Sequence, residues 1–159
     1  MNKRKWIPYA AFILVSEAVG GLSAWLTRDG MELYRTAIVK PPLSPPGIVF
    51  PIVWGVLYLL MGIGAARIYK TPPGRDRTQC LILFFVQLGF NFLWSLLFFN
   101  LEAFGFAFVW LAALWALIIW MTLSFRELDR PAAWMQLPYI LWVLFAGYLN
   151  YGVWLLNKY

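Results

Sequence analysis

Charge disappears from this chain for twenty or more positions at a time. Residues 47–66, 80–99, 103–125 and 132–157 carry no charge, and residues 6–26 carry only Glu17. A helix crosses a hydrocarbon core of about 30 Å with about 20 apolar residues. The pattern therefore predicts five spans, over about residues 6–26, 47–69, 79–99, 103–125 and 132–157. The expected fold class is an all-α integral membrane protein, a single bundle of five transmembrane helices forming one domain over residues 1–159.

Inside the spans, the few polar and large-ring residues recur at helical spacing. The third span sets Gln87, Asn91, Trp94 and Ser95 on one face, and the second sets Trp54, Tyr58, Met61 and Gly62 on another. In the fifth, Tyr139, Trp142, Ala146, Asn150 and Asn157 follow the same period. Amides are costly against lipid, so these stripes are expected to face one another across the bundle interior. Hydrogen-bonded glue between helices accounts for Gln87 and Asn91. Large rings at Trp54, Tyr58, Tyr139 and Trp142 fit glue less well, because close helix packing favours small residues. They fit the wall of an apolar pocket with a few convergent polar groups. Porphyrins and sterols are flat and apolar enough to lie against such walls.

Glu17 stands alone as an ionisable group at mid-span, a proton relay or a carboxyl bonded to a neighbouring helix. The steps Ser16-xxx-Gly20-xxx-Ala24 and Gly62-xxx-Ala66 allow close helix approach, within the bundle or in a dimer. Trp6, Trp25, Trp134 and Trp154 fall near span ends, where indoles anchor at the membrane surface. Trp110, Trp115 and Trp120 do not share a narrow face and read as packing.

Prolines punctuate the connections. The first connection, residues 27–46, contains Lys40-Pro41-Pro42-Leu43-Ser44-Pro45-Pro46-Gly47, which favours extended backbone and forbids a helix. A structured loop of this length serves as a lid over a site, or as a connector. Pro51 falls in a first turn, where a missing N–H costs little, and Pro131 follows Asp129, a cap candidate. Pro138 lies a turn or two inside the fifth span and should kink it.

Composition narrows the picture. The chain of 159 residues is 62% hydrophobic and 13% charged, beyond the range of soluble domains. With five spans, one side collects Lys3, Arg4, Lys5, Arg67, Lys70, Arg75, Arg77, Arg126 and Arg130. The other side holds Arg28, Arg35, Lys40 and Lys158. That imbalance predicts a cytoplasmic N-terminus. The first run is kept as a span and not a cleaved leader, because Glu17 interrupts it and no clean cleavage site follows. The net charge of +6 reads as topology and lipid contact, since the basic residues flank spans and form no nucleic-acid face. Without histidine, and with Cys80 alone, a His-containing zinc site, a Ser-His-Asp triad and a His-ligated haem are excluded. No metal and no required cofactor are expected.

At this point the residues resemble a known family. Lys40-Pro41, Pro45-Pro46-Gly47, Phe50-Pro51, Trp54, Leu57-Tyr58 and Met61-Gly62 resemble the first loop and second helix of the TspO/MBR family. That family comprises the translocator protein (peripheral-type benzodiazepine receptor) and the bacterial tryptophan-rich sensory proteins. Gln87, Asn91, Trp94-Ser95 and Phe98-Phe99 are similar to its third helix. Its fifth is matched by Pro138-Tyr139, Trp142, Phe145-Ala146, Leu149-Asn150 and Asn157. The resemblance implies a five-helix bundle, usually a homodimer, binding porphyrins such as protoporphyrin IX, sterols and benzodiazepine-type drugs between its helices. It implies pocket walls at Tyr34, Trp54, Tyr58, Asn91, Trp142 and Ala146, to which the stripes add Gln87, Trp94, Tyr139 and Asn150. Trp54 and Trp142 match tryptophans implicated in light-dependent porphyrin degradation. Arg28, Arg35 and Lys40 would meet propionates at the pocket mouth, or act as interfacial anchors. The sterol consensus fails as written, because six residues separate Tyr151 from Lys158. The expected role is a tetrapyrrole sensor, scavenger or carrier in a bacterial cytoplasmic membrane. A porphyrin-degrading enzyme and a proton-coupled transporter using Glu17 are the alternatives.

Overall fold

The computed structural model describes residues 3–158. The ends of the expected domain, residues 1, 2 and 159, lie outside them. Five helical segments are long and apolar enough to cross a membrane. They are α1 (Ile7–Leu26), α3 (Val49–Tyr69), α4 (Arg75–Ser95) with its continuation, α5 (Phe104–Leu128), and the pair α6 (Arg130–Trp134) and α7 (Leu137–Leu156). Many large apolar side chains point outward, among them Leu14, Ile52, Val109 and Leu141, while Gln87, Asn91, Gln136 and Asn150 are buried. Amides inside and aliphatics outside are what lipid selects, since it offers buried amides no hydrogen bonds.

Helix α1 packs along α3, and α5 lies between α4 and α7. The α1–α3 contact depends on two glycines. A Cβ at Gly62 would sit 2.6 Å from the Ile13 Cα, and one at Gly20 would collide with the Tyr58 ring. The small-residue steps thus serve the bundle at these two positions. Glu17, on the same stretch of α1, is half-buried. Among the described residues its carboxylate makes no hydrogen bond.

The structure departs from the sequence reading at four places. Residues 27–46 are not wholly irregular, because Arg28–Thr36 forms a helix, α2. Asp29 in its first turn and Arg35 in its last oppose the helix dipole correctly. Gly30 allows α2 to lie directly on the Phe99 carbonyl. Residues Ala37 to Gly47 then run without helix, as the prolines require. The third span begins at Arg75, four residues early, and ends in a wide π-type turn, Leu96–Asn100. There Leu101 N–H donates to the Leu96 carbonyl at 3.0 Å, and Asn100 Nδ2 ties the turn to the Leu26 carbonyl. The fourth span runs on to Leu128.

Finally, the fifth span is broken, not kinked. Helix α6 ends at Trp134, and α7 restarts at Leu137 with Pro138 in its first turn, where no N–H is needed. Asp129 caps α6 as anticipated, accepting from the Ala132 N–H at 2.8 Å. It also takes both guanidinium bonds of Arg67, each 3.0 Å.

Candidate functional site

Helices α3 and α7 both reach the bundle centre, yet their backbones do not pack directly on one another. They are joined at one end, where Arg67 meets Asp129 and Gly64 lies under Gln136 and the Ala132 carbonyl. Along the rest of the gap, aromatic rings fill the space. Trp54 of α3 lies 5.6 Å from the Tyr58 ring and 6.2 Å from the Tyr139 ring of α7. Nearer the loop, Phe50 meets Trp142 edge-on at 5.9 Å. Trp54 and Trp142 are half-buried, whereas Tyr58 and Tyr139 are fully inside.

The floor of this wedge is a chain of hydrogen bonds with a single direction. Tyr58 Oη donates to Asn91 Oδ1 at 2.9 Å, Asn91 Nδ2 donates to Tyr139 Oη at 2.7 Å, and Tyr139 Oη donates to Gln87 Oε1 at 2.8 Å. Gln87 Nε2 ends the chain on the Met61 sulfur at 3.7 Å. The four side chains come from three helices, and each is satisfied by the next, as buried polar groups require. Glue and pocket are therefore not alternatives here. The amides bond the hydroxyls, and the same hydroxyls carry the rings that line the gap.

Trp142 is different. Its Nε1 is buried and has no partner among the described residues, a state shared only with Arg77 Nε and Gln136 Oε1. An indole N–H left unpaired at a half-buried ring is a donor available to something inserted beside it. Ala146, one turn along α7, is buried.

The first loop is tied to α7. Asn157 pairs with the Val39 backbone in both directions, accepting from Val39 N at 3.1 Å and donating to Val39 O at 2.9 Å. Pro41 packs on Gly152, where a Cβ would approach the proline Cγ to 2.6 Å, and Tyr148 Oη donates to the Pro42 carbonyl at 2.8 Å. From this anchorage on α7, residues 43–48 lead to the start of α3. The proline-rich loop is thus latched to α7.

The remaining candidates fall elsewhere. Trp94 Nε1 donates to Asn150 Oδ1 at 3.0 Å, and Asn150 Nδ2 donates to the Phe104 carbonyl at 2.8 Å. These two clamp α4, α7 and the start of α5, and their polar groups are spent on each other. Tyr34 on α2 packs against Phe98 and Phe99 of the π turn, with Lys40 over its face at 5.1 Å. Burial pushes its phenol above the ordinary range. Asn157 turns to the loop and not to the bundle interior. The loop cations are engaged locally: Arg28 with Asp29, Arg35 with Glu32, and Lys40 with the carbonyls of Arg35 and Ile38. Trp110 and Trp115 pack as expected, donating to the Phe90 and Ile140 carbonyls. Sequence reasoning missed Phe50 as a wall and the Asn157–Gly152–Tyr148 latch. Phe50 was visible one turn before Trp54, but the latch pairs residues more than a hundred positions apart. Among the described residues no group of acidic or cysteine side chains is arranged to hold a metal.

Comparison with known proteins agrees over almost the whole length. The model of the TspO/MBR family matches residues 12–155. The chain is 34% identical over 158 residues to the tryptophan-rich protein TspO of Chlorobaculum tepidum, covering 99% of each. It is 34% identical over 155 residues to the translocator protein of Bos taurus, covering 96% of this chain and 92% of that one. It is 30% identical over 152 residues to the tryptophan-rich sensory protein of Cereibacter sphaeroides, again 96% and 92%.

Proposed function

This chain belongs to the TspO/MBR family of integral membrane proteins, and from that premise we propose that it binds a flat tetrapyrrole of the protoporphyrin class between α3 and α7. It acts as a sensor, scavenger or carrier of that ligand, and takes hydrophobic drug-like molecules in the same place. The observation that carries the reading is the ring-filled wedge itself. Two helices held apart by Trp54, Tyr58, Tyr139, Phe50 and Trp142 offer stacking surfaces to a planar molecule once the outer rings turn aside. Trp54 and Trp142 are half-buried and their side chains make no hydrogen bond among the described residues, whereas Tyr58 and Tyr139 are held by their bonds to Asn91 and Gln87. The two indoles would become walls, the hydrogen-bonded tyrosines a floor, and the unpaired Trp142 N–H a donor to the ligand.

Titration with protoporphyrin IX in nanodiscs, read by intrinsic tryptophan fluorescence, tests this. Saturable quenching is expected, and Trp142→Phe should weaken binding about tenfold by removing the donor and part of the stacking surface. Binding unchanged in both Trp142→Phe and Trp54→Phe would refute the site.

A second reading has one specific support. Trp54 lies against two tyrosines, one of which, Tyr139, hydrogen-bonds an amide at each side, a cluster of oxidisable rings beside the proposed ligand. Light-dependent degradation of porphyrin by dioxygen would use Trp54 and Trp142 as electron donors to the excited macrocycle. Bleaching at the same rate with the Trp54→Phe/Trp142→Phe double variant would remove it.

A further inference from the structure

At the end of the bundle opposite the first loop, an open groove of about 500 Å³ runs between α4 and α5. Its lining divides by depth. Arg75, Thr78 and Gln79 stand at the rim, on the first turn of α4, and Ile82, Leu83 and Trp120 lie below. Arg75, Thr78, Gln79 and Ile82 are spaced i, i+3, i+4, i+7, one face of the helix. At 1.5 Å per residue, Ile82 lies about 10 Å below Arg75. A polar rim and an apolar floor at that separation match a phosphate group and the acyl chains beneath it.

The rim is equipped and unspent. Arg75 makes no ion pair or hydrogen bond among the described residues, whereas its neighbour Arg77 is turned inward on the Tyr69 and Thr71 carbonyls. Gln79 has no partner there either. Thr78 Oγ1 donates to the Gly74 carbonyl at 3.0 Å. Gly74, the N-cap of α4, has no side chain to cap it, so the N–H groups of the first turn are open to an anion. On the floor, Trp120 is 54% exposed and Ile82 57%. Asp76 and Glu127, the nearest acidic residues in sequence, do not line the groove. This end also carries most of the chain's basic residues, among them Arg4, Lys5, Lys70, Arg126 and Arg130.

We infer that this groove is a binding site for an anionic glycerophospholipid, its phosphate held by Arg75 and the first turn of α4 and its acyl chains laid on Ile82, Leu83 and Trp120. The apolar floor selects a lipid over a free phosphate, and the unpaired Arg75 selects an anionic lipid over a zwitterionic one. The site is separate from the α3–α7 wedge and shares no residue with it.

Native mass spectrometry of the full chain, released from micelles holding equal phosphatidylglycerol and phosphatidylcholine of matched chains, tests this. One phosphatidylglycerol should be retained about fivefold over phosphatidylcholine, the effect of one cation near a membrane surface. Arg75→Gln should abolish that preference, and Arg126→Gln, an exposed cation of the same end outside the groove, should leave it. Trp120→Ala should weaken retention of both lipids. All three positions are exposed, so the buried core is untouched. Equal retention of the two lipids, equal losses from Arg75→Gln and Arg126→Gln, or a Trp120→Ala variant that retains lipid like the parent would each overturn the inference. So would displacement of the lipid by millimolar inorganic phosphate, which would make the groove a phosphate site.

Discussion

Gly152→Ala should loosen the first loop from α7. Carbon atoms in contact rest about 3.5–4.0 Å apart, and a Cβ at Gly152 would meet the Pro41 Cβ at 2.5 Å and its Cγ at 2.6 Å. The proline ring cannot rotate away, so the segment must retreat by about 1 Å. Such a shift stretches the Asn157–Val39 pair, now 3.1 and 2.9 Å, and the Tyr148–Pro42 bond of 2.8 Å past hydrogen-bonding distance. Three bonds at about 1 kcal/mol each amount to about 3 kcal/mol, or about a hundredfold in the open population. Hydrogen exchange at the Val39 amide reads this directly, because that N–H is held by the Asn157 side chain. Asn157→Ala, which removes two of the bonds, should accelerate exchange about thirtyfold. Gly21→Ala, with nothing within 4 Å of its added methyl, is the control. Exchange in Gly152→Ala within twofold of the parent would show that the loop is held by something other than this latch.

Three further outcomes follow from the same geometry. Asn91→Leu strands the Tyr58 hydroxyl and takes from Tyr139 the amide that donates to it, and should destabilise the bundle by about 1–2 kcal/mol in denaturant titration from mixed micelles. Tyr139→Phe should act similarly, and the double variant should show less than the sum because the groups form one chain. Gly62→Val drives side-chain carbons into the α1 backbone at Ile13, and should release α1 from α3, lowering the melting temperature in detergent, whereas Gly55→Val meets open space. Asp129→Ala removes both the cap of α6 and the partner of Arg67, at a cost of about 1–2 kcal/mol. Asp129→Asn should recover the cap part of the loss, which thermal melts of the two variants will separate.

Spans and site residues were legible in the sequence to different degrees. The five spans follow from charge-free length, a property each segment has alone, because lipid imposes the same demand on every residue of a span. The stripe Gln87–Asn91 and the tyrosines that meet it were also readable, since one amide every turn in an apolar helix has to turn inward. Periodicity could not tell Asn157 from Asn150. Both continue the stripe of α7, yet one latches the loop and the other clamps Trp94, because the helix end rises to the loop's level.

Helix α2 escaped notice for a related reason. Its nine residues are too polar and too few to signal a helix, and it is held by docking on the π turn through Gly30. The break before Pro138 was anticipated as a bend, but a helix can restart at that proline because the first turn needs no N–H there.

By itself, then, the sequence determined how many helices cross the membrane, which side of the second, third and fifth turns inward, and where backbone could not be helical. These are local consequences of solvent and chain chemistry. The tertiary structure decided that α3 and α7 stand apart, that Trp54 and Trp142 sit in the gap they leave, and that the loop is tied to α7. Such features depend on contacts between residues a hundred positions distant, and no single helix carries them in its own period.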